Sequence, residues 1–308
     1  MLSSSIVDRT SLLKNLFRSI FSQFMQNNGF LLAGAMSFYI LFAIIPFITL
    51  FYTVTGWIVP PEILAKTLLQ LKDFLPSQMQ LEFIKSVEIL KAIRTGFTIT
   101  SLFQSIIATV FIVWVASLIF DVMERSLCVT FHVKKPRPVW KSKLTHFLLM
   151  LSLALLFIAT TTLSLVTQMM SSVLRSSIPW LLDFLGEDSI LLPFFRFVSN
   201  LVYSGILFFI LYKSSTPAKL KKRSYIYGSF FAAFFWAVAK FLFGFYISKI
   251  NDLTLFFGTL SFIMRIALWV FYSSLIFILG GEVAWFFEQK FKQHQRFSAK
   301  RQESLKSN

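Results

Sequence analysis

The stretch FLLAGAMSFYILFAIIPFITLFYTVTGW, Phe30–Trp57, decides the fold. It carries no charge, and it exceeds the roughly 20 apolar residues that a bilayer-spanning helix needs. Its small residues Ala33, Gly34 and Ala35 lie at its start, whereas a cleaved signal peptide places them after a shorter apolar core. The stretch therefore reads as a retained membrane helix. Pro46 lies inside it, removes one backbone donor and predicts a kink.

Five further stretches have the same character: Phe97–Phe120, Leu144–Met170, Ser189–Tyr212, Tyr225–Ser248 and one within Leu255–Phe287. The last is longer than one span, so part of it is expected to turn at membrane level or to extend into the cytoplasm. The chain as a whole agrees, with 56% hydrophobic residues, 39 phenylalanines and only 14% charged residues among 308. Disorder requires the opposite composition, and a soluble globule would lack polar surface to cover such a core. The expected fold is all-α: a polytopic membrane protein with six transmembrane helices.

Amphipathic segments flank the spans. Within Leu12–Met25 the apolar residues Leu13, Leu16, Phe17, Ile20, Phe21 and Phe24 form a narrow stripe, with Lys14 and Arg18 off it. This predicts a helix that lies in the headgroup plane or packs on the inner end of the bundle. The long first outer loop repeats the pattern at Phe83, Ile84, Val87, Leu90 and Ile93, predicting additional amphipathic helices broken near Pro76. The expected division is a cytoplasmic N-terminal segment 1–29, a membrane domain 30–287 and a basic cytoplasmic tail 288–308.

The net charge of +16 could indicate a nucleic-acid binder. Its distribution says otherwise. The N-terminal segment, the Asp121–Lys143 loop, the Lys213–Ser224 loop and the tail hold 20 of the 30 Lys and Arg residues. The opposite loops hold seven, and three lie within spans. This bias places both termini in the cytoplasm of a plasma (inner) membrane protein. The short basic run Lys219, Lys221, Lys222 and Arg223 would lie against anionic lipid headgroups. No nucleic acid is expected as a partner, since no fold for binding it is present.

Ionisable groups at membrane depth are costly and usually face the protein interior or a water-filled cavity. Four occur here: Arg196, Lys240, Arg265 and Glu282. Counting along helices puts the three cations at similar depth, perhaps 5–12 Å below the outer surface, and Glu282 about 25 Å from Arg265. Two readings stand. The cations converge, with Asn200 one turn from Arg196, to bind an anionic small solute or lipid headgroup. Alternatively, each snorkels outward or pairs with Asp183, Glu187, Asp188 or Asp252. Glu282, beside Gly280 and Gly281, reads as a structural carboxylate in close helix packing.

Several of these residues also lie in a pattern that resembles the YihY/BrkB family of bacterial inner-membrane proteins, once misnamed ribonuclease BN. MSFYILFAIIP, Met36–Pro46, is similar to that family's L-A-Y-Y-x-L-L-S-x-x-P, with Tyr39 and Pro46 on matching positions and Phe38 and Ala43 departing from it. Trp236, Lys240 and Tyr246 resemble W-x-x-x-K…Y. Phe256–Gly258, Trp269 and Leu279–Glu282 resemble Y-G…W…L-G-A-E, with Gly281 in place of the alanine. Arg265 stands where the pattern has an apolar residue. The resemblance covers most of the chain and implies a six-span helical fold.

An RNA-hydrolysing metal site needs clustered His and acidic ligands. His132, His146 and His294 are scattered, and no Gly-rich phosphate loop, G-x-S-x-G elbow or H-E-x-x-H is present. The single cysteine, Cys128, allows no internal disulfide. The chain reads as a non-enzyme without a cofactor, and as a transport or export protein, with Arg196, Lys240 and Arg265 on the solute and Glu282 and Tyr39 holding the bundle. A structural or envelope-integrity protein is the alternative.

Overall fold

The computed structural model describes residues 16–58, 102–135, 137–153, 155–156, 191–249 and 260–306. Side chains are described over most of these, though not at 44–58, 102–109, 111–112, 116, 191–197, 247–249, 260, 262, 294 or 297–306. Every regular element among the described residues is helical. The helices are α1 (16–26), α2 (Gly29–Ile58), α3 (Leu102–Thr130), α4 (139–153), α5 (Leu191–Ser214), α6 (Lys222–Lys249) and α7 (Leu260–Lys306). Two stretches, Lys222–Tyr246 and Ile263–Gln293, are long and apolar enough to cross a bilayer. The first-loop helices expected around residues 83–93 lie outside the described residues.

Helix α7 is the axis of the bundle and packs on α6, α2 and α3. It is one continuous helix of 47 residues, so the expected boundary at 287/288 falls inside a helix. The part of the overlong last segment from Leu260 onward is therefore helix without a turn. Likewise α2 continues as helix through Pro46.

Helices α6 and α7 run antiparallel. Ser224 meets Glu288 at one end, Trp236 meets Ser273 in the middle, and Phe243 stacks on Trp269 at the other. Their close approach is set by glycine. A Cβ on Gly228 would lie 2.5 Å from the Gly280 carbonyl oxygen, and one on Gly280 would lie 2.3 Å from Tyr212 Oη of α5. Tyr212, fully buried, donates its hydroxyl proton to the Phe277 carbonyl at 2.7 Å. Small residues thus let three helix backbones meet where no solvent is available to drive them together.

The outer surfaces are apolar. Leu31, Phe38 and Phe42 on α2, Leu148 and Leu151 on α4, and Phe230, Phe241 and Phe245 on α6 are all exposed. Helices apolar on both their buried and exposed faces suit a lipid surround.

Helices α1 and α2 are separated by a sharp turn at Asn27–Asn28. Asn28 has φ 54°, a left-handed conformation that asparagine tolerates better than most residues. Gly29 follows because a Cβ there would lie 2.2 Å from the Phe24 ring. The turn folds α1 back onto the bundle, where Ile20 joins Val283 and Phe286 in a buried cluster. The same helix leaves Phe17, Phe21 and Met25 exposed. The helix therefore packs on the bundle by one face and presents an apolar stripe by another.

Candidate functional site

Among the described residues, several buried polar groups gather at the end where α3 finishes, α6 begins and α7 passes Glu288, hereafter the basic end. Glu282 is fully buried there, one helical position past Gly281. Gly281 admits Leu127 and Thr130 of α3 at 3.1 and 3.3 Å from where a Cβ would lie. Glu282 Oε1 accepts a hydrogen bond from Asn27 Nδ2 at 2.7 Å, while Oε2 has no hydrogen-bond partner among the described residues. The carboxylate thus holds the α1–α2 turn against α7. Its partner is a residue 255 positions away that sequence reasoning did not single out. Replacing Asn27 by leucine leaves the carboxylate with no described partner and is expected to cost about 2 kcal/mol. In Glu282→Leu the same change is expected to cost far less, which a double-mutant thermal-stability cycle measures.

A second buried group joins α3 to α4. His146, fully buried, places Nε2 2.8 Å from Glu124 Oε2 and Nδ1 3.3 Å from Asp121 Oδ1. Ser142 donates to Glu124 Oε1 at 3.1 Å. Lys143 pairs with Asp121 and also donates to Ser117 Oγ at 3.0 Å. The acids at Asp121 and Glu124 and the partners at Ser142, Lys143 and His146 come from facing helix ends, so the pairing closes the α3–α4 hairpin. Burial raises the Glu124 carboxyl, but the hydrogen bonds from His146 and Ser142 outweigh it and hold the group below its ordinary value of 4.5. A depressed carboxyl contributes stability that is present above the ordinary value and is lost as pH falls through the folded-state value. Thermal stability is therefore expected to drop below about pH 4.5. Glu124→Gln should flatten that drop in a pH series of melting curves.

Two further side chains cap helices across the basic end. Arg137 donates to the carbonyls of Ser214 at 3.1 Å and Thr216 at 2.8 Å, at the C-terminus of α5. A cation there complements both the free carbonyls and the helix dipole. Glu288, on α7, accepts from the Lys221 backbone N–H at 2.8 Å and from Ser224 Oγ at 2.9 Å, at the N-terminus of α6. The contacts span 64 to 79 positions, and no local motif announces them.

The cations singled out in the sequence lie farther along the bundle. Lys240 is half-buried on α6, with Nζ 4.7 Å from the centre of the Trp236 ring. Trp236 donates to Ser273 Oγ at 3.3 Å and its ring lies 6.2 Å from Trp269, which is buried. Arg265 is half-buried on α7 and donates to Ser261 Oγ at 3.3 Å. The antiparallel register sets Arg265 beyond Trp269 and Lys240 before it, a difference in depth of roughly 10 Å. Helix counting set them level, because the offset between α6 and α7 is a tertiary property. The register also separates Lys240 from Glu282 by about three turns, roughly 15 Å.

Arg196 lies on α5, but its side chain is outside the described residues, as are Gly258, the Pro46 side chain and the outer acids Asp183, Glu187, Asp188 and Asp252. Asn200 is exposed on α5, its carbonyl oxygen accepting from Ser204 Oγ at 2.8 Å. Tyr246 is exposed beside Phe243. Tyr39 is also exposed, with its ring edge-on to Phe38. Met36 and Ala33, one and two turns before it, carry the buried face of α2 in its place.

Comparison with known proteins places this geometry. A family model described as virulence factor BrkB matches residues 20–304. The chain is 24% identical over 273 residues to the ribonuclease-like protein YfkH of Bacillus subtilis (strain 168), covering 86% of this chain and 92% of that protein. It is 25% identical over 275 residues to a UPF0761 membrane protein of Azotobacter vinelandii, covering 87% of this chain and 62% of that longer protein. No solved structure matches the chain. With nearly its whole length matched, and with the apolar helices described above, the chain belongs to the virulence factor BrkB family of membrane proteins.

Proposed function

We propose that this protein is a six-span inner-membrane transport or export protein for an anionic or lipid-like solute, with both termini in the cytoplasm. The supporting observation is Lys240. It stands well inside Lys222–Tyr246, a stretch apolar enough to cross the bilayer, and its ammonium group lies over an indole ring. An ionisable side chain at that depth is expensive unless it has work to do. Arg265 on the neighbouring helix and Arg196 on α5 extend the positive path along the bundle. The uneven depth of Lys240 and Arg265 suits successive contacts with a moving anion. Anionic headgroups at the basic loops and the bilayer itself are the other partners of this reading. No enzyme chemistry belongs to it. Cys128 is a poor nucleophile, since burial pushes its thiol above the ordinary value.

The test is flux into sealed proteoliposomes. Phosphate, dicarboxylates and a fluorescent anionic phospholipid are offered to the wild type and to Lys240→Ala. At least one is expected to move, with flux falling about tenfold or more in the variant, the worth of one charge-assisted contact. Equal flux with and without protein for every solute would overturn the reading and leave envelope integrity as the function.

A further inference from the structure

A cavity of about 260 Å³ lies between α1, α6 and α7, lined by Phe17 and Phe21 of α1, Phe235 of α6, and Ile276, Leu279 and Phe287 of α7 among other apolar residues. No lining residue is polar. Apolar cavities of even about 150 Å³ stay dry and take up hydrocarbon. Along α7 the lining runs from Ile276 to Phe287, roughly 16 Å of helix, so the space is a slot running along the bundle. Phe17, Phe21 and Phe235 are also exposed, so the slot opens sideways onto the lipid-facing surface.

The rim at the basic end carries cations. Lys290 is exposed one turn beyond Phe287, its Nζ 5.0 Å from the centre of the Phe286 ring. Arg223 is exposed one turn before Tyr227, whose ring stacks on Phe287 at 4.5 Å. The described part of α1 and the whole of α6 contain no acid. The two acids on the adjoining part of α7 are buried and engaged. Glu282 is bonded by Asn27, and Glu288 by Lys221, Ser224 and Lys292. The rim is therefore positive with no countercharge of its own among these elements.

The geometry points to a specific binding site for one anionic phospholipid, its acyl chain in the slot under α1 and its phosphoryl headgroup on Arg223 and Lys290. Hydrocarbon fills a dry cavity that water avoids, and a phosphate takes charge-assisted bonds from guanidinium and ammonium groups. The chain in the slot would clamp α1 to α7, adding to the buried contact at Ile20. This site is separate from Lys240 and Arg265, and it stands whether or not a solute is transported.

Native mass spectrometry of the full chain, released from detergent in the presence of phosphatidylglycerol or phosphatidylcholine with identical chains, tests it. The wild type is expected to retain one phosphatidylglycerol per chain, with at least about tenfold preference over phosphatidylcholine. Leu279→Trp fills the slot and should abolish retention of both lipids. The surface variant Arg223→Gln/Lys290→Gln leaves the core untouched and should retain both lipids equally. Equal retention of the two lipids by the wild type would overturn the proposal, as would an unchanged preference in the double variant.

Discussion

Gly280→Ala is expected to lower stability by about 3 kcal/mol, the upper range for overpacking a filled core. The added methyl group would lie 2.3 Å from Tyr212 Oη, 2.8 Å from Ala232 Cβ and 3.0 Å from the Gly228 carbonyl oxygen. Two of these neighbours cannot move independently. The Gly228 oxygen is helix backbone, and Tyr212 is fixed by its bond to the Phe277 carbonyl. To admit the methyl, α6 must separate from α7 or α5 must withdraw, and either opens the largest buried cluster, which contains Tyr212, Phe277 and Ile278. The measurement is the melting temperature of detergent-purified protein, with a fall of about 5–10 °C expected. Tyr212→Phe removes the hydroxyl that Gly280 crowds and should recover part of the loss, as coupled neighbours do. Gly34 is the control, since a Cβ there would meet nothing within 4 Å.

His146→Ala has a comparable expected cost, about 3 kcal/mol, for a different reason. It removes no bulk from a glycine contact. It strips the imidazole from between Glu124 and Asp121, and removing one member of a buried charged network leaves the others uncompensated. Asp121 keeps Lys143, but Glu124 retains only the Ser142 hydroxyl. Glu124→Gln in the His146→Ala background should restore stability, since the carboxylate without a partner is then gone. The effect is expected to shrink below the acid transition of Glu124, where that carboxyl is neutral in both proteins. Melting curves across pH measure both points.

Much of the fold was legible because membrane helices are written locally. Apolar runs such as Phe30–Trp57 and Tyr225–Ser248 fall on α2, Gly29–Ile58, and α6, Lys222–Lys249. The requirement is only that about 20 consecutive residues tolerate hydrocarbon. The glycines before Glu282 were legible as a close-packing signal for a related reason, since a missing side chain has a local meaning wherever helices cross. Glu282 itself was legible as a buried structural carboxylate. Its partner Asn27 was not, because a helix pairs with whichever neighbour the register supplies. His146 shows the same limit more sharply. By spacing, three scattered histidines promise nothing, and only the facing of α3 and α4 puts this one between two carboxylates.

What the sequence by itself determined is the class of protein, the places of the apolar helices that the structure describes and the list of charges that the membrane would make expensive. These follow from hydropathy and charge, which act residue by residue. Only the tertiary structure decided the offset between Lys240 and Arg265, the pairing of Glu282 with Asn27, the His146 network and the slot beneath α1. Each of these depends on how one helix slides and turns against another. That choice is made by side-chain shape at the crossings, by Gly228 against Gly280 and Tyr212 against Phe277, and no single helix contains it.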